Sequence, residues 1–224
     1  MEEEELSSVL RSSEFSKLVA LYASDSTSGL NEFAHIYEHI LLRRGSSTGG
    51  LIKLALADKL LYTTAAQWDL APLVTEIFAV SPSDSALLQA GIALAQQSPM
   101  AGGASHRLIA PSPNHASVAL WIRAGHVRIL LGADLENTSQ TGTGWSAVLF
   151  DSNVVDGQAD VFKVPHHGSL NGHHDQVWTQ LLAPAPFAVV TPFRNGRHLL
   201  RAASDIARIR ALTSQLYLTA APRA

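Results

Sequence analysis

Aspartate and histidine stand where two apolar runs end, and both side chains are of the kind that bind divalent metals or move protons. Asp134 follows Ile129-Leu130-Leu131 through Gly132-Ala133, and His166-His167-Gly168-Ser169 follows Val161-Phe162-Lys163-Val164 through Pro165. If both runs are strands, the turns after them project side chains into one crevice, as at strand exits in α/β sheets. A carboxylate oxygen and neutral imidazole nitrogens that converge there suit zinc and similar ions. Ten histidines beside 16 Lys plus Arg make imidazole unusually frequent, while the absence of cysteine excludes disulfides and thiolate metal sites.

The elements that must position these groups are legible from periodicity and punctuation. Residues 3–24 read as helix broken near Ser12-Ser13, and 30–44 as a stronger helix with Leu30, Phe33, Ile36, Tyr37, Ile40 and Leu41 on one face, stopped at Gly45. Leu51 to Leu54 and Leu60 to Tyr62 read as two short strands around Asp58-Lys59, and Glu76 to Val80 as a third. Ser81-Pro82-Ser83-Asp84 then opens a helix to about Gln97, with Ser81 as its cap and Pro82 in its first turn. Residues 98–113 form a Gly/Pro loop. Strands at 117–122 and 127–131 make a hairpin around Gly125, followed by a helix at 144–150 and a strand at 159–164. A helix at 174–182, a strand at 187–191, a helix at 204–213 and a strand at 216–218 complete the chain. Strands alternating with helices around one hairpin predict α/β with a mixed sheet.

Composition bounds the function. A chain of 224 residues, 46% hydrophobic, suits one domain or one with a small appendage. The formal net charge is -3, with no long charge run beyond Glu2 to Glu5, so no extended footprint for duplex nucleic acid is visible. No apolar run approaches the roughly 18 residues that span a bilayer, and the first residues are acidic rather than signal-like. The expectation is a soluble cytoplasmic domain with no membrane partner.

The stretch Asn114-His115-Ala116-Ser117-Val118-Ala119-Leu120, then Ile129 to Asp134, then Asp160 to Ser169, resembles the second half of the metallo-β-lactamase superfamily. It is most similar to the branch typified by the soluble hydrolase domain of bacterial DNA-uptake (ComEC-type) channel proteins, where "LLTGD" and "VPHHGS" blocks follow one another at similar spacing. The likeness covers roughly residues 113–220, and the two blocks in that order carry it.

The resemblance implies an αββα sandwich, with residues 1–97 as the rest of its first half and 114–220 as its second half, in one partial domain. It implies zinc, one or two ions in a complete homologue, with manganese as an alternative. Asp134 matches the aspartate that bridges two metals, and His167 the late histidine ligand, with His166 beside it able to exchange roles. His115 falls where a superfamily histidine precedes the hairpin, although asparagine is frequent there in the ComEC-type branch. His198 resembles a late histidine near the substrate, and Ser169 and Asn171 would line the crevice. The implied reaction is hydrolysis of a phosphodiester or another ester-like bond by a metal-bound hydroxide. Nucleic acid enters as a partner by analogy with that branch alone.

One departure weakens the implied chemistry. The superfamily's H-x-H-x-D-H block is absent, the early histidines being only His35 and His39. The resemblance places Met1 downstream of that block, which leaves the sandwich N-terminally incomplete. A catalytic zinc needs about three protein ligands and a water. His115, Asp134 and His167 together offer at most three, normally shared between two metals, so impaired hydrolysis is expected. The rival expectation is a catalytically inactive remnant or interaction module whose incomplete sheet edge pairs with a partner chain or a second copy. Other signals read as structure: His35 and His39 as a solvated pair, His173-His174 as a loop before a helix, Trp121, Trp145 and Trp178 as core or cleft wall, and Gly102-Gly103 as a flexible loop.

Overall fold

The computed structural model describes residues 53–68, 71–97, 113–138, 140–195, 198–200 and 203–219. The chain divides into two units, Met1–Leu54 and Ala55–Ala224, and all the described strands and helices lie in the second. The helices expected at 3–24 and 30–44, with His35 and His39, and the Gly102-Gly103 loop lie outside the described residues.

The elements in chain order are β1 (Lys59–Trp68), β2 (Ala71–Ala79), α1 (Asp84–Gln97), β3 (Leu120–Ala124), β4 (Val127–Leu131), α2 (Gly144–Asp151), β5 (Ala159–Lys163), β6 (Leu182–Val190), β7 (Phe193–Asn195), β8 (His198–Leu200), α3 (Ala203–Leu212) and β9 (Leu216–Leu218). Seven strands form one mixed sheet in the order β1-β2-β3-β4-β5-β6-β9, and β7 and β8 form a separate hairpin. β1 to β4 run antiparallel, and β4, β5, β6 and β9 run parallel. The α/β expectation is met. Among the described residues, no helix is long and apolar enough to cross a membrane.

Register explains the core. Phe78, Trp121, Leu130, Phe162 and Ala188 are successive cross-strand partners, so one row crosses five strands on one face. All five are buried, and Trp145 of α2 and Trp178 close over Phe162 with ring centroids at 6.2 and 5.2 Å, edge to face. The matching row on the other face is Ile77, Ile122, Ile129, Val161 and Phe187, also apolar but half-buried, with Phe187 exposed.

Several boundaries differ from expectation, three of them for a clear physical reason. Residues 53–56 are not strand, and β1 is one long strand from Lys59 to Trp68, with Asp58 in a left-handed turn (φ 64) before it. The Asp58 carboxylate accepts hydrogen bonds from Ser152 Oγ and from the Asn153 backbone and side chain, which ties that turn to the end of α2. Ser81 is not the cap of α1: its buried hydroxyl donates to Ser117 O and accepts from the Ala119 N–H, so it joins β2 to β3 instead. The cap falls to Ser83, whose Oγ accepts the Ala86 N–H at 3.2 Å.

The full helix expected at 174–182 is only a short helical segment ending in a wide turn, Val177–Leu181, because β6 begins at Leu182. Between Ala159/Val161 of β5 and Leu182/Phe187 of β6 the register slips, so Pro184, Ala185 and Pro186 bulge out of the ladder. That is where a strand tolerates proline, which has no N–H to donate.

Candidate metal and acid–base site

β4, β5 and β6 are parallel neighbours, so their carboxyl ends share one edge of the sheet. Asp134 leaves β4 there, His166 and His167 leave β5, and Thr191 leaves β6. Gly132 makes the close approach possible: a methyl at this position would lie 2.9 Å from both Lys163 O and Pro165 Cβ. Gly132 N–H donates to Lys163 O, and His166 N–H donates to Ala133 O at 2.9 Å, which locks the two exits together.

The turn after β5 has an unusual backbone. His166, His167 and Gly168 have φ of 45, 58 and 86, and Ala133 across from them has φ 47. Left-handed geometry is disfavoured for residues with a Cβ, and it tends to cluster where the surrounding structure imposes it for function.

The turn sends its two histidines to different partners. His167 Nδ1 lies 2.9 Å from Thr191 O, and its ring stacks on Phe193 at 4.9 Å between centroids. Thr191 O can only accept, so Nδ1 carries a proton. Nε2 lies 3.8 Å from Asp134 Oδ1. With Nε2 unprotonated, the two atoms could share a cation: with zinc bonds of about 2.0–2.2 Å, two ligands of one ion lie up to about 4 Å apart. The backbone carbonyl behind Nδ1 is the kind of outer partner that orients ligating histidines. Asp134 and His167 are therefore the two side chains that could contribute to holding one divalent ion.

His166 and His115 go elsewhere, to Glu136. His166 Nδ1 is buried 3.1 Å from Glu136 Oε1 but out of line for a hydrogen bond, and His115 Nε2 lies 3.7 Å from Oε2. Oε1 also accepts N–H bonds from Asn114 (3.0 Å) and Asn171 (2.7 Å). Of the expected metal-ligating set His115, Asp134, His166 and His167, the fold thus brings Asp134 to His167 and gathers His115 and His166 around a second carboxylate. Among the described residues, no group of three or more such side chains converges on one point as metal ligands.

Ser169 is half-buried at the end of the left-handed turn, and Asn171 is exposed on the Glu136 carboxylate. His198 is the first residue of β8, opposite Asn195, and its side chain lies outside the described residues. The tryptophans fall as expected, with Trp121 and Trp145 fully buried and Trp178 packed on the core. His173 pairs with Asp175 at 2.9 Å, and burial holds His174 below the ordinary histidine range, with Asp175 opposing that shift.

Sequence reasoning missed Glu136 and Lys163. Burial holds the Lys163 amine below the usual lysine range, while the Asp134 carboxylate pulls it back up. Lys163 could have been flagged because β5 places it at the strand end, two residues before Pro165. Glu136 carried only a weak signal, an acidic residue two positions beyond Asp134 in a polar loop.

Compared with known proteins, the chain matches no family model, no curated protein and no solved structure.

Proposed function

We propose that this chain derives from a metallo-β-lactamase-fold hydrolase and keeps one end of its metal site, with hydrolysis of a phosphodiester or another ester-like bond impaired in these residues. The observation that carries the reading is the His167–Asp134 pair at the carboxyl edge of the sheet, with Nδ1 held by Thr191 O and Nε2 turned to the carboxylate. Asp134 and His167 would hold the ion, zinc or manganese. When bound, it would supply an activated water and a Lewis acid. Ser169, Asn171 and His198 would line the crevice, and Lys163 adds positive charge beside Asp134. Two ligands fall short of the about three that a catalytic zinc requires, so activity needs further ligands from elsewhere.

The sandwich belongs to the same proposal. A sheet apolar on both faces calls for a layer on each side, and the Ile77, Ile122, Ile129, Val161, Phe187 row supports a second layer.

The alternative, an inactive remnant or interaction module, is favoured by one observation: His115 and His166 are engaged on Glu136 rather than turned to Asp134. Calorimetric titration of zinc, and separately of manganese, separates the two. Weak binding that Asp134→Ala and His167→Ala each reduce at least tenfold is expected. Absence of binding, or binding unchanged in both variants, refutes the hydrolase reading and leaves the remnant.

A further inference from the structure

We infer that Glu136 is the positioning residue of this site: through Asn171 its carboxylate ties down the turns after β5, and with them the left-handed turn that presents His167 to Asp134. The proposal rests on reading Asp134 and His167 as the working pair, and it adds how that pair is held.

Three segments meet on this one carboxylate. Asn114 comes from the turn before β3, Glu136 itself from the loop after β4, and Asn171 and His166 from the turns after β5. The ties run both ways, since Asn137 N–H donates back to Asn171 O at 2.7 Å and the Glu136 carbonyl accepts the Trp145 N–H from α2. Leu135, fully buried, roots the loop in the core between Asp134 and Glu136. A loop pinned at Leu135 and tied through Glu136 has little freedom to let the β5 turn relax.

The turn needs such a restraint. His166 and His167 are both left-handed although each has a Cβ. Gly172 lets His166 seat itself, because a methyl there would lie 3.0 Å from His166 Cβ. The His166 N–H bond to Ala133 O fixes the backbone, and the side chain packs beside Glu136, its Nδ1 3.1 Å from Oε1 without a hydrogen bond. If His166 swung out, His167 would be carried off Thr191 and Asp134, because the two residues are adjacent in the turn.

Glu136 serves as an anchor rather than a base. Its side chain is 13% exposed and its Oε1 already accepts two amide donors, whereas Asp134 is 49% exposed. A carboxylate with its lone pairs engaged in this way is poorly placed to take a proton from a substrate.

The test reads the His167 ring in the metal-free full chain at pH 8, above the ordinary histidine pKa of about 6.5. Long-range proton–nitrogen NMR should show wild-type His167 as a single Nδ1–H tautomer. Glu136→Ala and Asn171→Ala should each convert it to a mixture of both tautomers, while the melting profile stays cooperative. Glu136→Gln, whose amide oxygen can still accept both asparagine donors, should restore the single form. If Glu136→Ala does not fold, the exposed Asn171→Ala carries the comparison. An unchanged His167 signal in the folded alanine variants, or a glutamine variant that behaves like alanine, overturns the proposal. A wild-type ring lacking the Nδ1–H form overturns the ligand-pair reading as well. Failure to bind zinc, with the ring still dependent on Glu136, overturns the metal reading alone.

Discussion

Replacement of Ala133 by glycine should stabilise the protein, and the sign follows from two opposed magnitudes. Ala133 is exposed with φ 47, so its methyl contributes little packing and meets the steric resistance of left-handed backbone. That resistance is worth about 1–2 kcal/mol for a residue with a Cβ. Glycine removes it but gives the unfolded chain more freedom, which costs about 0.5–1 kcal/mol. The carbonyl that accepts the His166 N–H at 2.9 Å is unaffected. The balance is a gain of about 0.5–1 kcal/mol, or a rise in Tm of about 1–4 °C for a protein of this size. Urea unfolding with an unchanged m-value should report the gain as a higher midpoint. Gly168 is the mirror control, with φ +86 and a methyl there 3.1 Å from Ile209 Cδ1, so Gly168→Ala should destabilise by about 1–3 kcal/mol. Loss of stability in Ala133→Gly, or a neutral Gly168→Ala, would mean that the two strand exits do not have the left-handed backbone on which the site geometry depends.

Phe162→Ala should cost about 3–5 kcal/mol, since Phe162 is 1% exposed and both Trp145 and Trp178 pack edge-on against it; a urea midpoint that barely moves would place the core elsewhere. Burial alone would raise the Asp58 carboxyl, but hydrogen bonds from Ser152 and Asn153 outweigh it and hold it below the ordinary aspartate value. A depressed folded-state pKa stabilises above the unfolded value and is lost as pH falls through the folded one. Stability should therefore drop below about pH 4, and Asp58→Asn should flatten that drop in acid titrations followed by circular dichroism. Lys163→Met should strengthen zinc binding several-fold in calorimetry, most at low salt, because it removes a cation beside Asp134; equal affinity at both ionic strengths would separate Lys163 from the site.

The local elements around the site were legible because each carries its own signal. Gly125 takes φ 60 at the hairpin turn between β3 and β4, and the apolar runs of β4 and β5 end where Gly132 and Pro165 end them. Helices α2 and α3 fall within one residue of the spans their periodicity and Ser204-Asp205 predict. Asp134 and His167 were also readable, because strand exits in a parallel sheet share an edge whatever the details of packing.

Tertiary structure decided the rest. Ser81 is a good cap by type, yet its hydroxyl is claimed by β3, whose approach no local pattern reveals. Pro184 and Pro186 argue against a strand, and only the register slip between β5 and β6 shows that they occupy a bulge. His166 and His167 are neighbours of one residue type, so their local pattern does not say which ring meets Asp134. Left-handed φ at both positions turns one ring to Glu136 and the other to Asp134. The sequence by itself therefore determined that carboxylate and imidazole meet at one sheet edge. Which imidazole meets which carboxylate depends on backbone strain and on contacts across three separate segments.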